Sequence, residues 1–105
     1  DLVLIPMTPS HVDFWATEAI IDIAKKDEKK IFIQINRANE RSKLVKKTHE
    51  YINTINVKST NTLIGHRQIY ASSMGEGKTA IEKQKKSNAV EEIKKLSEQI
   101  LLELK

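Results

Sequence analysis

Residues 1–16, reading DLVLIPMTPSHVDFWA, limit the possible folds of this chain more than any other stretch. Leu2, Val3, Leu4 and Ile5 are apolar without alternation, the pattern of a strand covered on both faces. Pro6 removes a backbone donor and is expected to stop the ladder. Pro9-Ser10 then sets up a helix start, with Ser10 as the cap and Asp13 in the first turn, where a carboxylate suits the helix dipole. A buried strand that passes through a short polar loop into a capped helix is one step of an open parallel α/β sheet. No initiator Met, signal peptide or polar lead-in precedes this strand, so further sequence is expected upstream.

The alternation continues along the chain. In residues 12–26, Phe14, Trp15, Ala19, Ile20, Ile23 and Ala24 fall close to helical spacing, and Lys25-Lys26 suits a C-terminal end, giving a helix of about four turns. Lys29-Lys30 leads into IFIQI, a second apolar strand over residues 31–35, and the polar Asn36-Arg37-Ala38-Asn39 follows at once, as at the ligand edge of a sheet. Asn39 or Ser42 can cap a helix to about Ile55, with Leu44, Val45, Thr48, Tyr51, Ile52 and Ile55 as its inner stripe and a basic outer face. Residues 60–64 read as a weak third strand, residues 65–73 as a turn or short helix, and Gly75 and Gly77 as a flexible break. Ser87 starts a final helix to the C-terminus, carrying Val90, Ile93, Leu96, Ile100, Leu101 and Leu104 along one side. The expectation is an α/β chain, one domain over residues 1–105, with a partial parallel sheet, right-handed crossovers and flanking helices. Three strands are half of an ordinary sheet of this kind, so a long hydrophobic edge is expected to need a missing segment or a second chain to cover it.

A formal net charge of +4 favours acidic partners such as nucleotides or nucleic acid. The absence of cysteine removes a disulfide framework, a thiolate nucleophile and cysteine metal sites, and fits a reducing, cytoplasmic compartment. No run approaches the roughly 20 apolar residues that cross a bilayer, so no membrane association is expected.

Pro6, Ser10, Asp13, Trp15 and Ala16 in the opening segment, IFIQINR ending in Asn36-Arg37, and IGHRQIYASSMGEGKTAIE followed by NAVEEIKKL together resemble the C-terminal half of ParA/MinD-type partition ATPases, of the short, ParF-like branch. The resemblance covers nearly the whole chain. It implies a P-loop NTPase fold of Rossmann-like, three-layer form, and a protein that dimerises on ATP, binds DNA non-specifically and moves plasmids or chromosomes with a centromere-binding partner. The family's P-loop, signature lysine, Mg-binding hydroxyl and Walker B aspartate would precede Asp1. ATP or ADP with Mg is therefore expected on the full-length protein, with no tight binding and no turnover by this chain alone, since hydrolysis needs the phosphate cradle and the metal.

Residues 72–79, SSMGEGKT, come within one residue of the pattern G-x-x-x-x-G-K-[ST], with Ser72 in place of the first glycine. A phosphate loop must follow a buried strand and open a long helix, whereas the preceding residues 66–71 are polar and the following ones run into lysines. By resemblance this is the glycine-containing turn before the last helix, with Gly77, Thr79 and Glu82 matching the family's glycine, hydroxyl and acid.

Asn36 is the leading candidate for a ligand contact. A carboxamide directly after a sheet strand can match the donor and acceptor of adenine, although an asparagine there also commonly ends a strand by bonding its own backbone. The resemblance implies base contact, with Arg37 either stacking on the base or closing a salt bridge. Arg41, Lys43, Lys46 and Lys47, with Lys83, Lys85 and Lys86, form basic surface diluted by Glu40, Glu50 and Glu82, and read either as a DNA surface or as an ordinary solvated face. Arg67 occupies a family position for a basic residue that can touch DNA or the dimer partner, or brace the fold. Trp15 and Phe14 read as core or dimer contacts. His11, His49 and His66 have no metal-ligand spacing, no nucleophile elbow occurs, and Glu91-Glu92 reads as exposed i,i+4 partners of lysines. No catalytic residue and no metal ligand is expected in this chain. The reading from a different class is a stand-alone basic α/β module that binds nucleic acid or a partner protein without nucleotide. An amidoligase of the dethiobiotin or cobyrinate group shares the sheet, but no substrate pocket for it is legible.

Overall fold

The structure, a computed structural model, describes residues 1–39 and 41–104. It is an α/β fold with a parallel sheet of three strands, β1 (Leu2–Met7), β2 (Lys30–Ile35) and β3 (Lys58–Ser59), in the order β1-β2-β3. The flanking helices are α1 (His11–Lys26), α2 (Lys43–Thr54), α3 (Gln68–Gly75), α4 (Ala80–Lys83) and α5 (Asn88–Glu103). No helix among the described residues is long and apolar enough to cross a membrane.

Pro6 does not end β1; it sits inside the strand, opposite Gln34. The Met7 carbonyl accepts from Asn36 N at 2.9 Å, so Met7 turns its backbone groups toward β2 and Pro6, one residue earlier, turns the side without a donor away from it. The register places Leu4 beside Phe32 and Ile5 beside Ile33. Phe32 through Ile35 are all buried, as expected of a strand covered on both faces. In β1 that expectation fails: only Ile5 and Met7, on the face that meets the core helices, are buried, whereas Leu4 and Pro6 on the other face line an open groove.

The core lies between one sheet face and the first two helices, with Ile5, Met7, Ile33 and Ile35 meeting Phe14 and Ile21 of α1 and Val45 and Ile52 of α2. Ser10 caps α1 by accepting from Asp13 N at 3.2 Å, and Asp13 in turn accepts from Thr8 N at 2.7 Å. The buried face of α1 is Phe14, Thr17, Ile21 and Ala24. The expected stripe through Trp15, Ala19, Ile20 and Ile23 is therefore rotated outward, and Trp15 is 71% exposed. Apolar residues cover more than one face of this helix, so its period could not choose the inward one; the Phe14 ring stacked on Tyr51 of α2 at 4.6 Å does.

Ser42, not Asn39, caps α2, accepting from Leu44 N at 3.2 Å, while Asn39 accepts from Arg41 N in the preceding turn. Val45, Thr48 and Ile52 face the core, and the Thr48 hydroxyl is satisfied there by the Leu44 carbonyl at 2.6 Å. Leu44 is exposed rather than inward.

The third strand is shorter and earlier than residues 60–64. Thr60 N still reaches the Ile33 carbonyl at 2.9 Å and Ile64 N the Ile35 carbonyl at 3.0 Å, but between them the chain bows out to bond the Gln34 side chain. Helix α5 crosses the other sheet face against the strand direction: Glu103 meets Lys30 at the start of β2, Gln99 meets Asn61, and Glu92 meets Gly65 beyond the strand end. Ser87 caps it as expected, and Val90 is buried, whereas Leu101 and Leu104 are exposed.

Candidate functional site at the carboxyl end of the sheet

In open parallel sheets, ligands lie beyond the carboxyl ends of the strands, because successive loops there carry the freest side chains and backbone groups. Here β2 ends at Ile35, and Asn36 keeps one backbone bond to Met7 before the chain turns. Arg37 makes that turn with φ of 50°, in the left-handed region that costs a non-glycine residue on the order of 1 kcal/mol. Ala38 then forms a single parallel bridge with Gly65, donating to the Ile64 carbonyl at 3.0 Å and accepting from His66 N at 3.1 Å.

Asn36, Arg37 and Arg67 line one groove of about 770 Å3, together with Leu4 and Pro6 of β1, Tyr70 and Met74 of α3 and Ile93 of α5. Its lining is mainly apolar with several polar groups, the make-up of a small-molecule site. Among the described residues no hydrogen bond reaches the Asn36 carboxamide, so it is not spent on its own backbone. Arg37 is exposed and closes no salt bridge among the described residues.

Behind the turn lies a buried polar cluster. Glu92 is 8% exposed, and its Oε1 meets Arg67 Nε at 2.7 Å and Nη2 at 2.6 Å. Its Oε2 accepts from Tyr70 Oη at 2.6 Å and from Gly65 N at 3.2 Å. Burial by itself pushes the Glu92 carboxyl up, but the bonds from Arg67, Tyr70 and Gly65 and the charge of Arg67 outweigh it and hold the group below its ordinary value. The Tyr70 hydroxyl is pushed well above the usual range, first by burial and then by its bond to the carboxylate. Glu92 thus corrects the expectation of an exposed acid, although Glu91 beside it is exposed. The available signal was position: Glu92 sits three residues after Ala89 and four before Leu96, on the inward stripe of α5. The Glu92 pair lets Arg67 brace the fold, one of the roles open to it, while the same side chain also lines the groove.

Lys43, Lys46 and Lys47 are exposed on the outer face of α2 and do not line the groove. Arg41 lines a smaller depression with His66 and Arg67. Lys83 pairs with Glu76 at 2.9 Å, while Lys85 and Lys86 precede α5. Glu40 lies outside the described residues; Glu50 and Glu82 are exposed. Ser72 falls within α3 rather than after a strand, Gly77 takes a left-handed turn with φ of 71°, and Thr79 and Glu82 form a capping box on the four-residue α4. These residues close a helix start and do not build a phosphate cradle. His11 packs edge-on against Phe14 at 5.4 Å, and among the described residues no group of three or more acidic, histidine or cysteine side chains is placed to hold a metal ion.

No family model matches the chain, and no curated protein matches it. The functional reading therefore rests on the residues and their geometry.

Proposed function

We propose that this chain is the C-terminal half of the nucleotide-binding domain of a ParA-type partition ATPase, with the P-loop NTPase fold, and that Asn36 contacts the adenine base. The observation that carries the reading is the Asn36 carboxamide: it stands at the end of the most buried strand, beside a mainly apolar groove, with no hydrogen-bond partner among the described residues. One carboxamide can accept from the adenine amino group and donate to a ring nitrogen, while guanine presents the opposite pattern, which the side chain meets only by turning over. Arg37 borders the same groove, and in this reading it stacks on the base. Phosphates and Mg would be held by residues upstream of Asp1, so this chain supplies base contacts and not turnover. Arg67 and the exposed Lys43, Lys46 and Lys47 are the non-specific DNA surface in this reading, and dimerisation and the centromere-binding partner belong to the whole protein.

The test is amide and side-chain NMR of the 105-residue chain with millimolar ATP, ADP and GTP in turn. The expected result is a shift of the Asn36 side-chain NH2 and the Arg37 amide with both adenine nucleotides and none with GTP. Equal shifts with GTP, or none with ATP, would overturn the assignment.

A second reading, a basic α/β module that binds nucleic acid without nucleotide, is favoured by the three lysines sharing one open face of α2. It requires DNA binding by this chain alone, with affinity falling steeply with salt by about 0.9 log units per log unit of salt for each phosphate neutralised. Replacing Lys43, Lys46 and Lys47 with glutamine would reduce that slope, whereas adding ATP would leave it unchanged.

A further inference from the structure

We infer that Glu92 is a positioning residue for the Asn36-Arg37 turn, acting through the backbone of Gly65 and Ala38. The adenine reading of Asn36 is needed only for the functional consequence. The chain of contact is short and continuous. Glu92 Oε2 takes the Gly65 amide at 3.2 Å; on either side of Gly65, the Ile64 carbonyl and the His66 amide clasp Ala38 at 3.0 and 3.1 Å. Ala38 directly follows Arg37, whose left-handed φ of 50° is unfavourable and persists only where neighbours over-determine it. Glu92 is itself held by Arg67 and Tyr70, so its carboxylate cannot swing away from Gly65 without breaking the ion pair with Arg67 and the bond from Tyr70. Gly65 allows this close approach: a Cβ there would lie 3.1 Å from Arg67 Nε and 3.2 Å from Glu92 Oε1. Helix α5 thereby fixes the angle at which Asn36 leaves β2, although Glu92 bonds neither Asn36 nor Arg37.

Amide hydrogen exchange of Glu92→Gln and of Tyr70→Phe, measured without ligand, tests this. In Glu92→Gln the amides of Ala38 and His66 should exchange at least about tenfold faster than in the unaltered chain, while Phe32 and Ile33 in β2 stay within about twofold. Tyr70→Phe, which removes one restraint on the carboxylate and leaves the ion pair, should give a smaller acceleration at the same two amides, and decides the question if Glu92→Gln does not fold. In the folded variants the Asn36 NH2 shift on adding ATP should shrink in the same order. Unchanged exchange at Ala38 and His66, or acceleration there only in step with Phe32 and Ile33, would overturn the inference and leave Glu92 as general bracing. An absent ATP response in the unaltered chain would overturn the adenine reading alone, because the exchange result does not depend on it.

Discussion

The Thr60 hydroxyl donates to the Gln34 side-chain oxygen across 2.6 Å, and the Gln34 amide nitrogen donates to the Thr62 carbonyl at 2.8 Å and the Ile35 carbonyl at 3.0 Å. A glutamine that is 3% exposed in the middle of the sheet is thus satisfied by the loop that bows over the strand end. Gln34→Leu keeps the bulk but removes the three Gln34 side-chain bonds, leaving the Thr60 hydroxyl and the Thr62 carbonyl only their mutual contact at 3.2 Å. The expected loss is about 2 kcal/mol in urea unfolding, with the largest structural change in residues 60–64. A loss within about 0.5 kcal/mol would mean that water replaces the side chain easily and that the loop is not tied to β2.

Tyr51 joins the two helices on the core face. Its ring stacks on Phe14, and its hydroxyl donates to Glu18 at 2.7 Å. Burial first, and then the bond to Glu18, push the hydroxyl up to about 12. Tyr51→Phe keeps the stack and should cost about 1 kcal/mol, whereas Phe14→Ala should cost about 3–5 kcal/mol. The two variants side by side, by denaturant unfolding, separate the hydrogen bond from the packing.

Glu92 sets an acid limit. A carboxyl whose folded value lies below its ordinary 4.5 contributes stability that is present above pH 4.5 and lost as pH falls through the folded value. Unfolding free energy measured downward from pH 5 should therefore decline more steeply in the unaltered chain than in Glu92→Gln. Parallel curves for the two proteins would show that the cluster contributes no pH-dependent stability.

Asn36→Ala removes a half-buried side chain with no hydrogen bond among the described residues, so the melting transition should move by no more than about 0.5 kcal/mol. The shift of the Arg37 amide on adding ATP should vanish in the same protein. Retention of that shift would place the base elsewhere in the groove.

Trp15 is the single tryptophan and is largely exposed, so its fluorescence reports on the outer face of α1. The isolated chain should show the red-shifted emission of a hydrated indole, open to quenching by iodide. A blue-shifted, protected emission would mean that another chain covers this face.

The sequence by itself determined the local order of the chain, because the signals involved act over a few residues. Ser10, Ser42 and Ser87 start their helices by bonding amides two or three residues ahead, and the apolar run before Asn36 forms a strand whatever lies beside it. The exit of Asn36 and Arg37 at the strand's carboxyl end was legible for the same reason. Only the tertiary structure decided questions that depend on a distant partner. Phe14, rather than Trp15, turns inward because Tyr51 arrives from α2. Pro6 stays within β1 because its missing donor faces away from β2. Residues 61–63 bow out between two remaining bonds to β2 because Gln34 draws the chain there. Glu92 is buried because Arg67, Tyr70 and Gly65 converge on it from a segment 22–27 residues away, and a buried carboxylate is tolerated only where such donors meet it.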